Sequence, residues 1–210
     1  MKAATPLARR LVAVGCAIAL SATVSACGDS SDGSDGSPAD TQTAANGDVF
    51  NEADVAFAND MIPHHAQAIE MVTLTDGRPL DPDVAQLASQ IRDAQVPEVE
   101  TMTDWLTAWG KEVPATSLDH TNAGHDMDDM DDMDMPGMMS AADMNALASA
   151  SDAEFQEMWL GMMMEHHQGA IEMAETELAD GEYADAVSLA ESIVAAQEAE
   201  IERIQQLLGA

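Results

Sequence analysis

The sequence contains few basic residues. It has 7 Lys and Arg against 39 Asp and Glu, so its formal net charge is −32 over 210 residues. Lys2, Arg9 and Arg10 lie at the start of the chain, and the remainder is therefore still more acidic. Nucleic-acid binding places Lys and Arg on phosphates. This composition excludes nucleic acid as a partner and favours cations.

The sequence also contains little cysteine, with only Cys16 and Cys27 in the whole chain. We expect Cys16 to be removed with a leader segment and Cys27 to carry a lipid. The mature protein would then have no thiol, which excludes a disulfide framework, thiolate catalysis and zinc-finger sites.

The first 26 residues read as a lipoprotein signal peptide. A positive start precedes the apolar stretch 11–20, which is too short to span a bilayer. Val24-Ser25-Ala26-Cys27 then matches a bacterial lipobox, so we expect an exported protein, anchored to the cell membrane through Cys27 and facing outside the cytoplasm. An ordinary signal peptide followed by an unmodified cysteine is the alternative.

Residues 27–48 are mostly Gly, Ser, Asp and Ala, which predicts a flexible tether. Residues 49–210 suit one domain. Within it we expect a first hairpin at 49–112, a linker at 113–140 and a second hairpin at 141–210.

An internal repeat is the most informative pattern in the domain. The segment 61–71, MIPHHAQAIEM, returns as 163–173, MMEHHQGAIEM, at an offset of 102 residues. The two copies hold four of the six histidines. Such self-similarity fixes architecture and predicts two copies of one helical hairpin. Further residues match at the same offset: Glu70/Glu172, Leu87/Leu189, Ala88/Ala190, Ile91/Ile193, Gln95/Gln197, Glu98/Glu200 and Leu106/Leu208.

Apolar residues recur at helical spacing in four long segments, 51–73, 82–109, 152–179 and 183–208. Turn sequences separate the members of each hairpin, at 75–79 and 180–181. Aromatic residues make up only 3% of the chain, and strand patterns are almost absent. We therefore expect an all-α fold, a four-helix bundle of two equivalent hairpins, with a short extra helix near 141–148.

Each repeat places histidine and methionine on one helix face, because residues three, four and seven apart share a face. Imidazole and thioether donors together favour copper, whereas zinc rarely takes methionine and calcium and magnesium prefer oxygen. We expect two symmetry-related sites, with Cu(I) favoured and Cu(II) or Ag(I) as alternatives. For the methionines, ordinary core filling is a strong competing interpretation. The candidate ligands are His64, His65, His166, His167, Met61, Met163, Met71 and Met173.

The two histidines of a pair cannot both point at the bundle axis, since successive residues lie about 100° apart around a helix. Glu98 and Glu200 are candidate carboxylate partners for histidine N–H groups, with exposed helix charges as the equally plain alternative. Pro63 and Pro97 occur only in the first repeat. Proline removes a helical hydrogen bond, so we expect the first site to be the more open one.

The linker is a second candidate site, because six methionines, two histidines and several aspartates lie within residues 120–139. This composition favours a loose copper or silver capture arm, with an acidic low-complexity linker expanded by codon slippage as the alternative. The candidate ligands there are His120, His125, Met127, Met130, Met133, Met135, Met138 and Met139.

The doubled motif with His64-His65 and His166-His167, together with the Met135-Pro136-Gly137-Met138-Met139 lead-in, resembles the family catalogued as domain of unknown function 305, which includes CopM-like copper-binding proteins. The resemblance covers about residues 49–208. It implies a ferritin-like four-helix fold and an exported protein associated with copper binding and resistance. It also marks the four histidines with Met61 and Met163. Glu165 stands where the first repeat has Pro63, so the two sites are expected to differ in affinity.

Three functions are open at this point. The leading one is a non-enzymatic protein that sequesters copper or transfers it, with metal ions, the membrane and either a copper acceptor or a second copy as partners. The second is a ferritin-like oxidase, although di-iron bundles use Glu-x-x-His pairs and neither HH segment has that spacing. The third is a metal-free interaction module whose histidines sense pH near neutrality.

Overall fold

The computed structural model describes residues 41–116 and 135–209, and this part of the chain is mainly helical. The helices are α1 Glu52–Thr73, α2 Pro82–Trp109, α3 Ala141–Ser149, α4 Asp152–Asp180 and α5 Ala184–Leu208. Strands β1 Gln42–Thr43 and β2 Val49–Phe50 form a small antiparallel hairpin ahead of α1. The predicted all-α fold class is confirmed.

The four long helices pack as two hairpins, α1 against α2 and α4 against α5. The hairpins meet mainly through α1 and α4, with a smaller contact between α2 and α5. Two apolar clusters fill the bundle, and each draws residues from both hairpins. Because the HH motifs lie in α1 and α4, this arrangement brings the two motifs to the interface between the repeats.

The helix boundaries follow local sequence. A capping box begins α1, in which the Asn51 side chain accepts from backbone N–H groups and Asp54 bonds back to the Asn51 N–H. Pro82 opens α2, and Gly110, in the left-handed region at φ 68°, closes it. Pro63 and Pro97 lie inside α1 and α2, and both helices continue through them.

The end of the predicted tether belongs to the folded domain. Gln42 and Thr43 pair with Phe50 and Val49, and Trp109 Nε1 donates to Asp48 Oδ2 over 3.1 Å. Burial of Phe50 against Trp109, with ring centroids 4.4 Å apart, stabilises this hairpin. The predicted boundary at residue 48 is therefore too late by several residues, and residues 27–40 lie outside the described part of the chain.

Buried carboxyl groups join the two hairpins at one end of the bundle. Asp54 Oδ1 accepts from the N–H groups of Glu182 and Tyr183, at 3.1 and 2.9 Å, where α5 begins. Glu177 is buried beside it, with its carboxyl group close to that of Asp54. Burial raises the pKa of Glu177 to about 8, and the neighbouring Asp54 and Asp180 add to the rise.

We expect Glu177 to make stability fall as pH rises. Its folded-state pKa lies above the ordinary value of 4.5, so the folded protein keeps a proton that the unfolded chain releases between about pH 4.5 and 8. The free energy of unfolding should therefore decrease across that window, and Glu177→Gln should flatten the decrease. Denaturant unfolding from pH 5 to 8.5 measures this pH dependence of the free energy of unfolding. Glu175→Gln, at an exposed position on the same helix, is the control. Equal pH slopes in the wild type and Glu177→Gln would contradict this account.

Within the described ranges, none of the helices is both long and apolar enough to cross a membrane.

Candidate metal centre

His64 of α1 and His166 of α4 face each other across the interface between the repeats. Their ring centroids are 3.7 Å apart at an interplanar angle of 36°, and both side chains are fully buried. The two symmetry-related positions are therefore adjacent in the fold. The equivalent positions meet because α1 and α4 pack together at this level, and the motifs form one centre, called here the histidine centre (His64, His65, His166 and His167).

His65 and His167 turn away from that stack toward the partner helix of their own hairpin. His65 Nε2 lies 2.8 Å from Glu98 Oε2 on α2, and His167 Nε2 lies 2.7 Å from Glu200 Oε2 on α5. Both imidazoles are fully buried, and the two carboxylates are mostly covered, at 18% and 17% exposure. The interpretation of Glu98 and Glu200 as exposed helix charges does not fit this placement.

Each of the four rings has at least one nitrogen without a hydrogen-bond partner among the described residues. Among the described residues, Nδ1 of His64, His65 and His167 and both ring nitrogens of His166 are buried and make no hydrogen bond. His64 Nε2 lies 3.1 Å from the carbonyl oxygen of Pro136. Carboxylate and carbonyl oxygens only accept, so each bonded Nε2 carries a hydrogen, and a neutral His64 ring keeps a free lone pair on Nδ1. A buried polar atom without a partner costs about 1–3 kcal/mol, so this cluster fits a ligand that takes up lone pairs.

The stacked imidazoles are held in the neutral form. Burial lowers the pKa of His64 to about 3, and the neighbouring His65 adds to the effect. Burial also lowers the pKa of His166 well below 6.5, with His64 and His167 contributing. A histidine must be deprotonated to bind a metal ion, and both rings meet that condition at neutral pH.

The candidate methionines are mostly core residues. Met61, Met71 and Met163 are fully buried and belong to the two apolar clusters, whereas Met173 is partly buried. Met61 and Met163 each lie three residues before a stacked histidine, on the same helix face. Their packing role is evident, and their thioethers lie on the faces that carry His64 and His166.

The expectation of a more open first site is wrong. His64 and His65 are as fully buried as His166 and His167, because α1 continues through Pro63 and keeps the same packing on α4. In the described ranges, no group of three or more His, Cys, Asp or Glu side chains is positioned to hold a metal ion. The centre offers the imidazoles of His64 and His166, with Met61 and Met163 on the same helix faces.

The structure describes only some of the candidate ligands in the linker. His120, His125, Met127, Met130 and Met133 lie outside the described residues. Residues Met135–Met139, called here the strap, cross the histidine centre, and Met139 is buried in an apolar cluster. Met135 and Met138 are partly buried. The expectation of a loose arm is therefore wrong for Met139, whose backbone is fixed by two hydrogen bonds to Gln67.

Sequence reasoning missed Gln67 and Gly169, which position the strap, and the Pro136 carbonyl, through which the strap bonds His64. It noted Gln95 and Gln197 only as matched positions, yet both are buried, with amide oxygens unpartnered among the described residues. The available clue was that a polar side chain repeated at equivalent positions of two amphipathic helices is unusual in a core.

The sequence model of the family described as Domain of unknown function (DUF305) matches residues 54–208. Among proteins with curated descriptions, none matches the chain. A DUF305 protein from Streptomyces coelicolor is 32% identical, with 75% of this chain and 92% of that chain covered and a TM-score of 0.64. A DUF305 fragment from Deinococcus radiodurans is 26% identical, with 80% and 99% covered and a TM-score of 0.63.

CopM, in its Cu(II)-bound form, is 28% identical to the chain. The match covers 74% of this chain and 95% of that chain, with a TM-score of 0.61. CopM structures in Cu(I)-bound and silver-bound forms are also similar to the chain. These matches agree with the two-hairpin helical fold described above.

Proposed function

We propose that this chain, which belongs to the family described as domain of unknown function (DUF305), binds copper at the histidine centre outside the cytoplasm. The observation that carries the proposal is the buried contact between His64 and His166, with lone pairs on unpartnered nitrogens. The similarity to CopM, solved with copper and with silver, supports the same metals here.

The hydrogen bond from His64 Nε2 to the Pro136 carbonyl leaves Nδ1 of His64 as its donor atom. Nδ1 of His64 and one ring nitrogen of His166 would bind the ion, with the thioethers of Met61 and Met163 as soft neighbours that favour Cu(I). His65 and His167, oriented by Glu98 and Glu200, would complete the surroundings of the centre. Copper is cargo in this proposal, sequestered at the centre or transferred to an acceptor, and we expect no catalytic turnover.

Two other functions are less well supported. A pH sensor near neutrality needs histidines that titrate there, whereas burial lowers the pKa of His64 to about 3. A di-metal oxidase needs several carboxylate ligands at one point, whereas Glu98 and Glu200 each pair with the histidine of their own hairpin. Stoichiometric copper uptake without oxidase turnover would separate cargo binding from catalysis.

A competitive Cu(I) titration against a chromophoric chelator tests the proposal, using the mature protein and a variant lacking residues 117–134. This deletion removes the outer Met- and His-rich part of the linker and keeps the strap, which contacts the histidine centre. We expect the deletion variant to bind fewer Cu(I) ions with low affinity and to keep the one Cu(I) ion that binds tightly. If the deletion removes all tight binding, copper binds to the linker and the proposed centre is wrong.

We further propose that Cys27 anchors the protein to the membrane through a lipid. Cys27→Ser should move the protein from the membrane fraction to the soluble extracytoplasmic fraction, because the described helices provide no membrane span. Cell fractionation with immunoblotting measures the shift, and Cys16→Ser is the matched control, expected to stay with membranes. A Cys27→Ser protein that remains membrane-bound would contradict the anchor.

A further inference from the structure

The strap lies directly on the backbone of α4. A Cβ added at Gly169 would lie 1.9 Å from the carbonyl oxygen of Pro136, and one added at Gly137 would lie 2.7 Å from the carbonyl oxygen of Glu165. Gly137 also has φ 73°, a conformation that favours glycine. Two glycines therefore permit a backbone-to-backbone contact that no other residue type would allow at this distance.

Polar groups of α1 hold the other side of the strap. Gln67 Nε2 donates to the Met139 carbonyl over 2.8 Å, and the Met139 N–H donates to Gln67 Oε1 over 2.7 Å. His64, three residues earlier on the same helix, donates from Nε2 to the Pro136 carbonyl over 3.1 Å. One face of α1 thus bonds the strap at two points, and one of these points is a histidine of the centre.

The strap makes the two stacked histidines unequal. The position that matches Gln67 in the second repeat is Gly169, so α1 binds the strap and α4 only accommodates it. The strap accepts a hydrogen bond from His64 Nε2 and makes none with either ring nitrogen of His166. The sequence repeat predicts equal sites, whereas the folded centre has one imidazole that the strap holds and one that it does not.

We propose that the strap fixes His64 as the Nε2–H tautomer, so that copper binds its Nδ1, and that it limits how fast copper enters and leaves the centre. Gln67 and Gly169 are the positioning residues. The proposal rests on the copper-binding function above and adds how access to the centre is controlled.

The physical basis is the single hydrogen of a neutral imidazole. The Pro136 carbonyl can only accept, so the hydrogen must be on Nε2 and the lone pair on Nδ1. Moving the carbonyl removes this constraint and lets the ring change tautomer or rotate. Copper at Nδ1 requires no proton to leave His64, and the strap need only open for the ion to pass.

The test uses three variants of the mature protein. Gly169→Ala displaces the Pro136 carbonyl, and Gln67→Ala removes both bonds to Met139 without adding an atom. Gly161→Ala is the matched control, because Gly161 lies on the same helix as Gly169 and a Cβ added there meets nothing within 4 Å. One readout is long-range ¹H–¹⁵N NMR of the histidine rings without metal, and the other is the rate at which a chelator removes bound Cu(I).

We expect His64 to be one Nε2–H tautomer in the wild type and in Gly161→Ala. Gly169→Ala and Gln67→Ala should change its ring signals and release copper about tenfold faster, as expected for the loss of one or two hydrogen bonds. A wild-type His64 with its hydrogen on Nδ1, or variants with unchanged signals and rates, would overturn the proposal. If Gly169→Ala fails to fold, Gln67→Ala decides.

Failure of the copper function is distinguishable from failure of the strap. A wild type that binds no Cu(I) in the titration refutes the proposed function and, with it, the copper role of the strap. The metal-free spectra still show whether the strap holds His64.

Discussion

The double variant His64→Leu/His166→Leu should lose tight Cu(I) binding and stay folded. The substitution removes both donors at the point where the repeats meet, so we expect an affinity loss above the roughly 10–100-fold typical of residues that only support ligands. Stability should change little, because leucine fills a similar space and removes three buried nitrogens that lack partners, which offsets the lost hydrogen bond from His64 Nε2 to the Pro136 carbonyl. Competitive titration measures affinity, and denaturant unfolding measures stability.

The matched control is Gln95→Leu/Gln197→Leu. This pair is also duplicated, buried and polar, and lies on α2 and α5. We expect this control to keep copper affinity. A histidine variant that unfolds more easily while binding copper normally would show that His64 and His166 are structural residues.

The second large effect is expected at the carboxylates that orient His65 and His167. Glu98→Ala or Glu200→Ala should each lower Cu(I) affinity by about 10–100-fold, because the imidazole loses the acceptor that fixes its Nε2–H. Glu98→Gln and Glu200→Gln should recover most of the loss, since the amide oxygen still accepts. The titration described above measures all four variants.

The two carboxylates also test whether the repeats are equivalent at this level. The His–Glu distances of 2.8 and 2.7 Å and the burial of the two pairs are nearly equal. The Cu(I) affinities of Glu98→Ala and Glu200→Ala should therefore agree within a few-fold. Full affinity in either alanine variant would contradict the orienting role of that residue.

Much of the fold could be predicted from the sequence because its determinants are local. Apolar periodicity and turn residues predict the four long helices, and the 102-residue offset predicts two equal hairpins. The repeat also indicated Glu98 and Glu200 as candidate partners for histidine N–H groups, but it did not indicate which histidine of each pair they bond.

The centre itself depended on contacts between distant parts of the chain. The meeting of His64 and His166 is set by how α1 packs on α4, and the repeat alone is compatible with two separate sites. Met139 of the strap lies 72 residues from Gln67 in sequence, and Gly169, which stands where the first repeat has Gln67, has no side chain that could indicate the contact. A close backbone contact of this kind requires glycine, and a glycine in the sequence does not show which part of the chain it contacts.

Pro63 shows the opposite error, in which a local rule was given too much weight. Proline removes one helical hydrogen bond, but packing between α1 and α4 keeps the helix continuous and His64 fully buried. Met139 likewise seemed part of a charged segment, yet an apolar cluster and Gln67 hold it in the core.

The most direct test of the central claim is anomalous diffraction at the copper absorption edge, from crystals of the mature protein loaded with one equivalent of Cu(I). We expect one strong peak within bonding distance of Nδ1 of His64 and of a ring nitrogen of His166. Copper found only on the linker or on surface carboxylates, with this histidine pair unchanged, would contradict it.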